Sequence, residues 1–188
     1  MKKQLGFLVD TEKCIGCFTC AMACKNVYHQ QKGIVWRQVH PMGESIYPHR
    51  ERAWLSLACN HCENPVCLEQ CPVKAYTKRE DGIVVHDQDA CIGCGNCVRS
   101  CPYGAPKMNP VEKRAEKCSM CWQRIDAGLD PACVHSCPVG ALSIADISTA
   151  RLDGWVQYPA GYPESKRLNP STRFKAPRQP REVRRNDA

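Results

Sequence analysis

The chain has 188 residues, a formal net charge of +7 and 16 cysteines, so about one residue in twelve is a cysteine. Hydrophobic residues make up 43% of the chain, but this figure includes the cysteines, and only 7% of the residues are aromatic. A core built from apolar side chains alone would be thin, which argues against an ordinary globular enzyme. Disulfides or thiolate-bound metal are the candidates for additional stabilisation.

Short strands and few helices are predicted around the first cysteines. The β-rich stretch Phe7 to Val9 predicts a strand, and Cys20 to Val27 predicts a helix. The following stretch contains no cysteine and predicts an inserted hairpin over residues 25–58, with strands at 34–39 and 53–57. Such an insertion could cover a metal site from water, dock a partner subunit, or do both.

Further along, Asp81-Gly82 predicts a hairpin turn between Tyr76-Thr77-Lys78 and a strand at Ile83 to Val85. Another strand is predicted at Leu142 to Ala145. The stretch just before Cys91 repeats the start of the chain. Asp87 lies four residues ahead of Cys91, as Asp10 lies four residues ahead of Cys14. This duplication predicts two ferredoxin-like units.

The C-terminal stretch from Glu164 to Ala188 has eight Lys or Arg, three acids and three prolines. This composition predicts an extended basic tail that does not fold alone. The tail could be solvated or could lie over an acidic partner surface. Nucleic-acid binding is not predicted, because no aromatic stacking pattern accompanies the positive charge.

The cysteines form four groups of four, with none left over. Groups one and three have the spacing C-x2-C-x2-C-x3-C, which binds cubane [4Fe-4S] clusters in bacterial ferredoxins. Group two widens one gap to four residues and group four widens one gap to eleven. In chain order the groups are Cys14, Cys17, Cys20 and Cys24; Cys59, Cys62, Cys67 and Cys71; Cys91, Cys94, Cys97 and Cys101; and Cys118, Cys121, Cys133 and Cys137.

Bound iron fits this spacing better than disulfides or zinc. Two-residue gaps would strain disulfides, and the start of the chain predicts no secretory signal. Zinc ribbons also use C-x2-C pairs, but triple-cysteine runs that end in Cys-Pro, as at Cys71, Cys101 and Cys137, have no use in one tetrahedral site. A complete set of quartets predicts four [4Fe-4S] clusters, and the remaining alternatives are cysteines that bind no iron or a three-iron cluster at one site.

Bound clusters would change the charge of the chain. An oxidised [4Fe-4S] core with four thiolates carries about −2, so four sites add about −8 to the formal +7. The holoprotein would be near neutral, and the basic composition is therefore a poor guide to its partners.

The cysteine groups and their flanking residues resemble the iron-sulfur subunit of the dimethyl sulfoxide reductase family, the electron-transfer component of membrane-bound molybdopterin oxidoreductases. The resemblance runs from about residue 6 to residue 147. The motifs that carry it include Cys14-Ile15-Gly16-Cys17, Cys59-Asn60-His61-Cys62-Glu63-Asn64-Pro65, Lys78-Arg79-Glu80-Asp81-Gly82, Cys91-Ile92-Gly93-Cys94 and Cys101-Pro102-Tyr103-Gly104-Ala105-Pro106.

This resemblance implies that three cysteines of each group bind one cluster, while the fourth crosses to a sister site. Group one then pairs with group four and group two with group three, all sixteen cysteines bind iron, and no residue is catalytic. The implied sites are site I with Cys14, Cys17, Cys20 and Cys137; site II with Cys118, Cys121, Cys133 and Cys24; site III with Cys59, Cys62, Cys67 and Cys101; and site IV with Cys91, Cys94, Cys97 and Cys71.

The implied fold is α+β: two interlocked bacterial dicluster ferredoxin-like units with short strands and helices, a core organised by clusters, the inserted hairpin and the extended tail. Residues 1–58 and 102–163 would form the first unit, with the hairpin over 25–58 inserted in it. Residues 59–101 would form the second unit, and residues 164–188 the basic tail.

The implied function is electron relay between a membrane anchor that oxidises quinol and a molybdenum bis-pterin catalytic subunit that reduces an S-oxide or N-oxide in anaerobic respiration. The chain itself would be a non-catalytic subunit with no direct small-molecule substrate. Alternatives are the equivalent subunit of a polysulfide, thiosulfate, tetrathionate, arsenate or formate system, a free soluble polyferredoxin, or a non-redox metal-binding module. The expected location is peripheral, on the extracytoplasmic face after co-export with a partner, with the cytoplasmic face as the alternative.

Overall fold

The computed structural model describes residues 2–42 and 53–175. Within these ranges short strands and helices alternate, and the longest helix has nine residues. The strands are β1 (Leu5–Asp10), β2 (Gln38–Met42), β3 (Ala53–Leu57), β4 (Tyr76–Lys78), β5 (Val84–His86), β6 (Lys107–Met108), β7 (Ala115–Glu116), β8 (Leu142–Asp146), β9 (Trp155–Val156) and β10 (Arg173–Lys175). The helices are α1 (Thr19–Val27), α2 (Val66–Glu69), α3 (Asn96–Ser100), α4 (Trp122–Asp126) and α5 (Ala132–His135).

The largest sheet has four strands in the order β8-β1-β10-β9. β1 pairs antiparallel with β8, with Leu5 opposite Asp146, and in parallel with β10, with Val9 opposite Phe174. Five of the six residues of β1 are buried, so both faces of this strand are covered. Gly6 is required there, because a Cβ atom would collide with the carbonyl oxygen of Ser171.

Most of the strands predicted from the sequence are confirmed. β1 contains Phe7 to Val9, β3 spans the predicted residues 53–57, and β8 contains Leu142 to Ala145. The predicted hairpin is formed by β4 and β5, and its turn is closed by the N–H of Arg79, which donates to the carbonyl of Ile83 at 2.9 Å. The predicted first helix is α1, which begins one residue earlier, at Thr19.

The inserted stretch contains a hairpin of β2 and β3, but the strand predicted at 34–39 is shifted to Gln38–Met42. Side chains occupy backbone groups of the preceding residues and so compete with a β ladder. Lys25 Nζ donates to the carbonyls of Gln31 at 2.8 Å and Ile34 at 3.1 Å, and Gln30 Oε1 accepts the N–H of Trp36 at 3.1 Å. The middle of the insertion, residues 43–52, lies outside the described residues.

The C-terminal stretch differs from the predicted extended tail over residues 164–175. Phe174 is completely buried in β10, and Ser171 is buried against the start of the chain. The Ser171 hydroxyl donates to the carbonyl of His61 at 2.7 Å and accepts from Gln4 Nε2 at 2.8 Å. Composition missed this because only a few apolar residues, at the right register, are needed to add a strand to an existing sheet. The rest of the predicted tail, residues 176–188, lies outside the described residues.

Two buried clusters form the core. The larger contains Phe7, Phe174 and Ile83 together with cysteines from groups one, two and four. The smaller contains Tyr76 and Ala115 with cysteines from groups two and three. Because each cluster draws residues from both sides of the proposed boundaries, the division into two units stays a prediction.

Candidate metal centres

All sixteen cysteines lie within the described residues, and all are free thiols rather than disulfides. Two of them, Cys17 and Cys94, are exposed, and each belongs to one of the two C-x2-C-x2-C-x3-C groups. Eight are buried: Cys20, Cys24, Cys59, Cys67, Cys97, Cys118, Cys121 and Cys133. The other six have intermediate exposure: Cys14, Cys62, Cys71, Cys91, Cys101 and Cys137.

Two pairs of packed helices bring cysteines from different groups together. α1, which carries Cys20 and Cys24, packs against α5, which carries Cys133 and is followed by Cys137. Residues four apart lie on the same helix face about one turn, or 5.4 Å, apart. Each helix can therefore present one cysteine to each of two adjacent sites. α2 packs against α3 in the same way, with one cysteine on each helix and the next within two residues of its end.

The structure brings the four predicted cysteines of site I together. Cys14 and Cys17 lie in the loop between β1 and α1. Burial is the main cause that raises the pKa of Cys14, and the neighbouring Cys20, Cys137 and Cys17 raise it further. Cys17 differs, because the Thr19 hydroxyl donates to its sulfur at 3.3 Å and lowers its pKa.

The predicted members of site II also lie together. Burial raises the pKa of Cys24 to about 11, and Cys133 and Cys121 contribute to the rise. Burial likewise raises the pKa of Cys118, and Cys24 is the next largest cause. The side-chain amide of Gln30 donates to the Cys24 sulfur at 3.3 Å, which holds this thiol in place.

The four predicted cysteines of site III line one enclosed cavity, together with His61, Tyr103 and other residues. The cysteines are Cys59, Cys62, Cys67 and Cys101. Burial raises the pKa of Cys62, followed by the effects of Cys59, Cys101 and Cys67, and burial raises the pKa of Cys67 to about 12. Cavity walls with this composition suit a ligand that accepts several thiolates at once.

Site IV is the least completely defined of the four. Burial raises the pKa of Cys97, and Cys91 and Cys94 raise it further. Cys71 packs with Cys91 against the smaller core cluster, which contains Cys97. Tyr76 lies beside the Cys97 sulfur, where its hydroxyl lowers the pKa of that thiol.

A shared turn positions the fourth cysteine of three groups, and sequence reasoning identified only its proline. The N–H of Ala75 donates to Cys71 at 3.2 Å, and that of Ala141 donates to Cys137 at 3.2 Å. Burial raises the pKa of Cys101, and the Ala105 N–H, which has the same relation to its sulfur, opposes this rise. The signal in the sequence is Cys-Pro-x-x-Ala, found three times. These N–H groups can stabilise a thiolate bound to iron.

The effects of cysteines on each other's pKa values show which sites lie next to each other. Burial is the main cause that raises the pKa values of Cys133, Cys118 and Cys67, but each is raised further by a cysteine of another site. Cys20 of site I acts on Cys133 of site II. Cys59 of site III acts on Cys118 of site II, and Cys97 of site IV acts on Cys67 of site III. With the predicted ligand sets, site I therefore neighbours site II, site II neighbours site III, and site III neighbours site IV.

The buried polar groups around the cysteines fit [4Fe-4S] clusters. Donors of Arg37, His61 and Tyr103 are buried without a hydrogen-bond partner among the described residues. Buried donors are normally satisfied, and cluster sulfurs are acceptors. Within the described part of the chain, no three His, Cys, Asp or Glu side chains are placed to bind a single metal ion. A cubane makes a different demand, because each of its four irons takes its own cysteine.

The charged and histidine side chains beside the predicted ligands differ in burial and in contacts. His61 is fully buried, and its Nδ1 accepts the N–H of Val84 at 3.0 Å. His135 is exposed, and Lys13 has a side chain that is 60% exposed. Lys25 binds backbone carbonyls, as described above, and the Arg99 guanidinium donates to the carbonyl of Cys94 at 3.2 Å.

Sequence reasoning missed two buried cations, Arg37 and Lys117, because neither belongs to a cysteine motif. Their exposed fractions are 1% and 3%. Lys117 Nζ donates to the carbonyls of Val84 at 2.5 Å and Cys118 at 3.0 Å. The only signal in the sequence was a position next to a predicted iron ligand. Lys117 has this signal because it precedes Cys118, whereas Arg37 does not.

Two family models match the chain: a 4Fe-4S dicluster domain over residues 51–147 and a 4Fe-4S binding domain over residues 11–28. Together with the mixed fold of small α and β elements and the clustered cysteines, they define a ferredoxin-type protein that binds 4Fe-4S clusters. Within the described ranges, no helix has the length and apolar character needed to span a membrane.

Similar proteins narrow this class. The chain is 40% identical to a component of the anaerobic dimethyl sulfoxide reductase of Escherichia coli, over 80% of this chain and 78% of that protein. It is 40% identical to a component of the tetrathionate reductase of Salmonella typhimurium, over 78% of this chain and 59% of that protein. It is 29% identical to an arsenate respiratory reductase iron-sulfur subunit of a Shewanella species, over 77% and 82% of the two chains. The chain belongs to the 4Fe-4S electron-transfer subunits of the dimethyl sulfoxide reductase family, as the sequence motifs predicted.

Proposed function

We propose that this chain carries four [4Fe-4S] clusters and relays electrons between a membrane anchor that oxidises quinol and a molybdenum bis-pterin subunit that reduces an S-oxide or N-oxide. The clusters, when bound, would supply one-electron redox chemistry. The chain's own residues would hold them in sequence, exclude water from the middle sites, and donate hydrogen bonds to sulfur. The proposed ligands are the four quartets given for sites I to IV.

The observation that supports this proposal is that neighbouring sites connect site I to site IV, and that each of these two sites contains an exposed cysteine. Cys17 belongs to site I and Cys94 to site IV, and both are exposed. In sites II and III, by contrast, every cysteine is buried or of intermediate exposure. A row of redox centres that reaches the surface at both ends can accept electrons at one end and release them at the other.

The direction of the relay and its acceptor depend on partners. The names of the similar proteins specify dimethyl sulfoxide, tetrathionate and arsenate reductases. We propose that site I faces a catalytic subunit and site IV a membrane anchor, on the extracytoplasmic face. Equivalent roles in a tetrathionate, arsenate, polysulfide, thiosulfate or formate system are the second candidates, since the same order of sites would serve each of them.

Anaerobic purification of the native complex through this chain tests the assignment. The expected result is a molybdenum-containing subunit and a multi-helix membrane protein, with iron and acid-labile sulfide for four cubanes per copy. Recovery of a brown monomer without partners would instead identify a soluble polyferredoxin. A colourless protein without acid-labile sulfide would identify a non-redox metal-binding module.

The ligand map can be tested separately at the two exposed ends. Cys17→Ser is expected to perturb or remove only the site I cluster, and Cys94→Ser only the site IV cluster, as seen by electron paramagnetic resonance (EPR) of the reduced complex. Both variants should interrupt quinol-linked turnover. Ser136→Ala, next to Cys137, is the matched control and should retain all clusters. Normal spectra and full turnover in both cysteine variants would refute the map.

A further inference from the structure

Arg37 lies in the interior beside the first two cysteine sites. Only 1% of its surface is exposed. Its Nη1 donates to the Ser56 hydroxyl at 3.1 Å, and the guanidinium carbon lies 4.3 Å from the centre of the Phe7 ring. Ser56 Oγ in turn lies 3.5 Å from the sulfur of Cys20, so the hairpin that forms β2 and β3 connects this cation to site I.

The charge of Arg37 has no carboxylate partner among the described residues. The ion pairs found there involve other cations, and Nε and Nη2 of Arg37 have no hydrogen-bond partner. A buried charge normally requires a partner, because its removal from water is costly. The fixed cation therefore requires negative charge from another source close by.

That source is the cysteine sulfur of sites I and II. Burial favours the neutral form of the guanidinium, but nearby sulfurs outweigh this effect and raise the pKa of Arg37. In order of effect, they belong to Cys133, Cys118, Cys20 and Cys24. Three of these belong to site II and one to site I. Burial raises the pKa of Cys133, and the positive charge of Arg37 is the largest effect that opposes this rise.

A cluster at each site would make this arrangement a redox device. Four thiolates and an oxidised cubane carry about −2, and reduction adds another negative charge. A nearby fixed cation stabilises the reduced state more than the oxidised state. Arginine stays protonated at all ordinary pH values, so its effect does not depend on pH.

We propose that Arg37 is the shared counter-charge of sites I and II and raises the reduction potentials of both clusters. It is a positioning and tuning residue rather than a ligand. The inference rests on the proposed four-cluster function and adds a residue that no cysteine motif identifies. Sites III and IV supply none of the four sulfurs that raise the pKa of Arg37, and site III has its own buried cation, Lys117, which lowers the pKa of Cys67 against the effect of burial.

An EPR-monitored redox titration of the holoprotein in its native complex tests the proposal. In Arg37→Met, two of four midpoint potentials should fall, each by at least a tenfold change in the reduction equilibrium, or about 59 mV for one electron. Tenfold is the lower end of the effect of a close charge on an ionisation equilibrium. A titration of Cys17→Ser, which perturbs site I, identifies the potential of the site I cluster. It therefore shows whether this cluster is one of the two whose potentials fall in Arg37→Met.

Arg37→Lys separates charge from packing. It keeps the cation but loses the fork that reaches Ser56, so both potentials should stay closer to the wild type than to the Met variant. Ser56→Ala keeps the guanidinium and should likewise shift them little. Arg167→Met, at a 65% exposed side chain paired with Glu69, is the control for loss of one positive charge.

Cluster content is measured before the titrations. Fewer than four clusters in the wild-type protein would contradict the proposed function, whereas four clusters with unchanged potentials in Arg37→Met would overturn only the role of Arg37. Equal falls at all four clusters, or equal falls in the Lys and Met variants, would also overturn it. If the Met variant does not retain its clusters, the Lys and Ser56→Ala variants still decide: a tenfold fall in both refutes a charge-based role.

Discussion

The loops that contain cysteine groups one and three have the same spacing but different support. Asp10 and Asp87 each accept hydrogen bonds from the backbone N–H groups two and three residues later, at 3.0 and 3.3 Å for Asp10 and at 2.8 and 3.3 Å for Asp87. Each loop contains a C-Ile-Gly-C stretch with glycine at positive φ. The local turn is therefore repeated closely.

The surroundings of the two loops are not repeated. The first follows β1, one of the two inner strands of the four-stranded sheet, whereas the second follows β5 of a two-stranded hairpin. Asp10 is 7% exposed and lies 3.9 Å from Lys175 of β10, whereas Asp87 is exposed. One metal-binding motif can therefore be held either by a distant strand or by its own adjacent hairpin.

Truncation of Phe174, which anchors β10 beside β1, should give the largest difference in stability between the two loops. Phe174→Ala creates a cavity beside β1 at a completely buried position, which should cost about 3–5 kcal/mol. The first cluster site should be lost before the fourth during denaturation, as followed by EPR at increasing denaturant. Val156→Ala is the control, because Val156 pairs with Phe174 but is 37% exposed. Equal losses in both variants, or simultaneous loss of all sites, would contradict the different support of the loops.

Equivalent glycines should respond differently to a methyl group. Gly16 has φ 69° and Gly93 has φ 71°, so alanine costs roughly 1–2 kcal/mol of backbone strain at each. A Cβ at Gly93 would meet the carbonyl oxygen of Lys113, whereas at Gly16 it would meet the Trp54 ring. A side chain can move more readily than backbone, so Gly93→Ala should be the more destabilising by about 1 kcal/mol or more.

Denaturation midpoints of Gly16→Ala and Gly93→Ala, compared with wild type, measure this difference. A greater loss in Gly16→Ala would show that Trp54 is held as firmly as the backbone. That result would give the hairpin of β2 and β3 a larger part in supporting the first loop.

The repeated aspartates provide a smaller contrast. Asp10→Ala should cost about 1.5–3 kcal/mol and Asp87→Ala about 1 kcal/mol, because both lose backbone hydrogen bonds but only Asp10 is buried beside Lys175. Denaturation measured at low and high salt separates the two contributions. Asp10→Asn, which retains an acceptor, should recover most of the loss. Identical costs for the two alanine variants would show that β10 adds nothing at this position.

The smallest predicted effect concerns the turn after group two. Lys74 has φ 52°, whereas glycine occupies the corresponding positions in the other two Cys-Pro-x-x-Ala turns, at Gly104 and Gly140. Lys74→Gly should stabilise the protein by up to about 1 kcal/mol by removing left-handed strain. Lys74→Ala removes the same exposed side chain without that relief and should give no gain in denaturation midpoint. A loss of stability in the glycine variant would show that Lys74 is not strained.

The class of metal site, the motif family and several strands could be predicted from the sequence alone. These follow from short-range geometry: cysteine spacing fixes how many ligands one loop can present, and alternating apolar residues with an Asp81-Gly82 turn define a hairpin. The same local chemistry repeats Asp10 as Asp87. The ligand map and the division into two units remain predictions from the resemblance.

The burial of Arg37 and the addition of residues 173–175 to the central sheet became visible only in the folded chain. Neither has a local signature. Arg37 has no neighbouring cysteine in the sequence, and the basic composition around Phe174 resembles that of a solvated tail. The physical reason is that burial and strand pairing depend on partners far away in the chain: β1 pairs with β10 across more than 160 residues, and no pattern within either segment specifies the other.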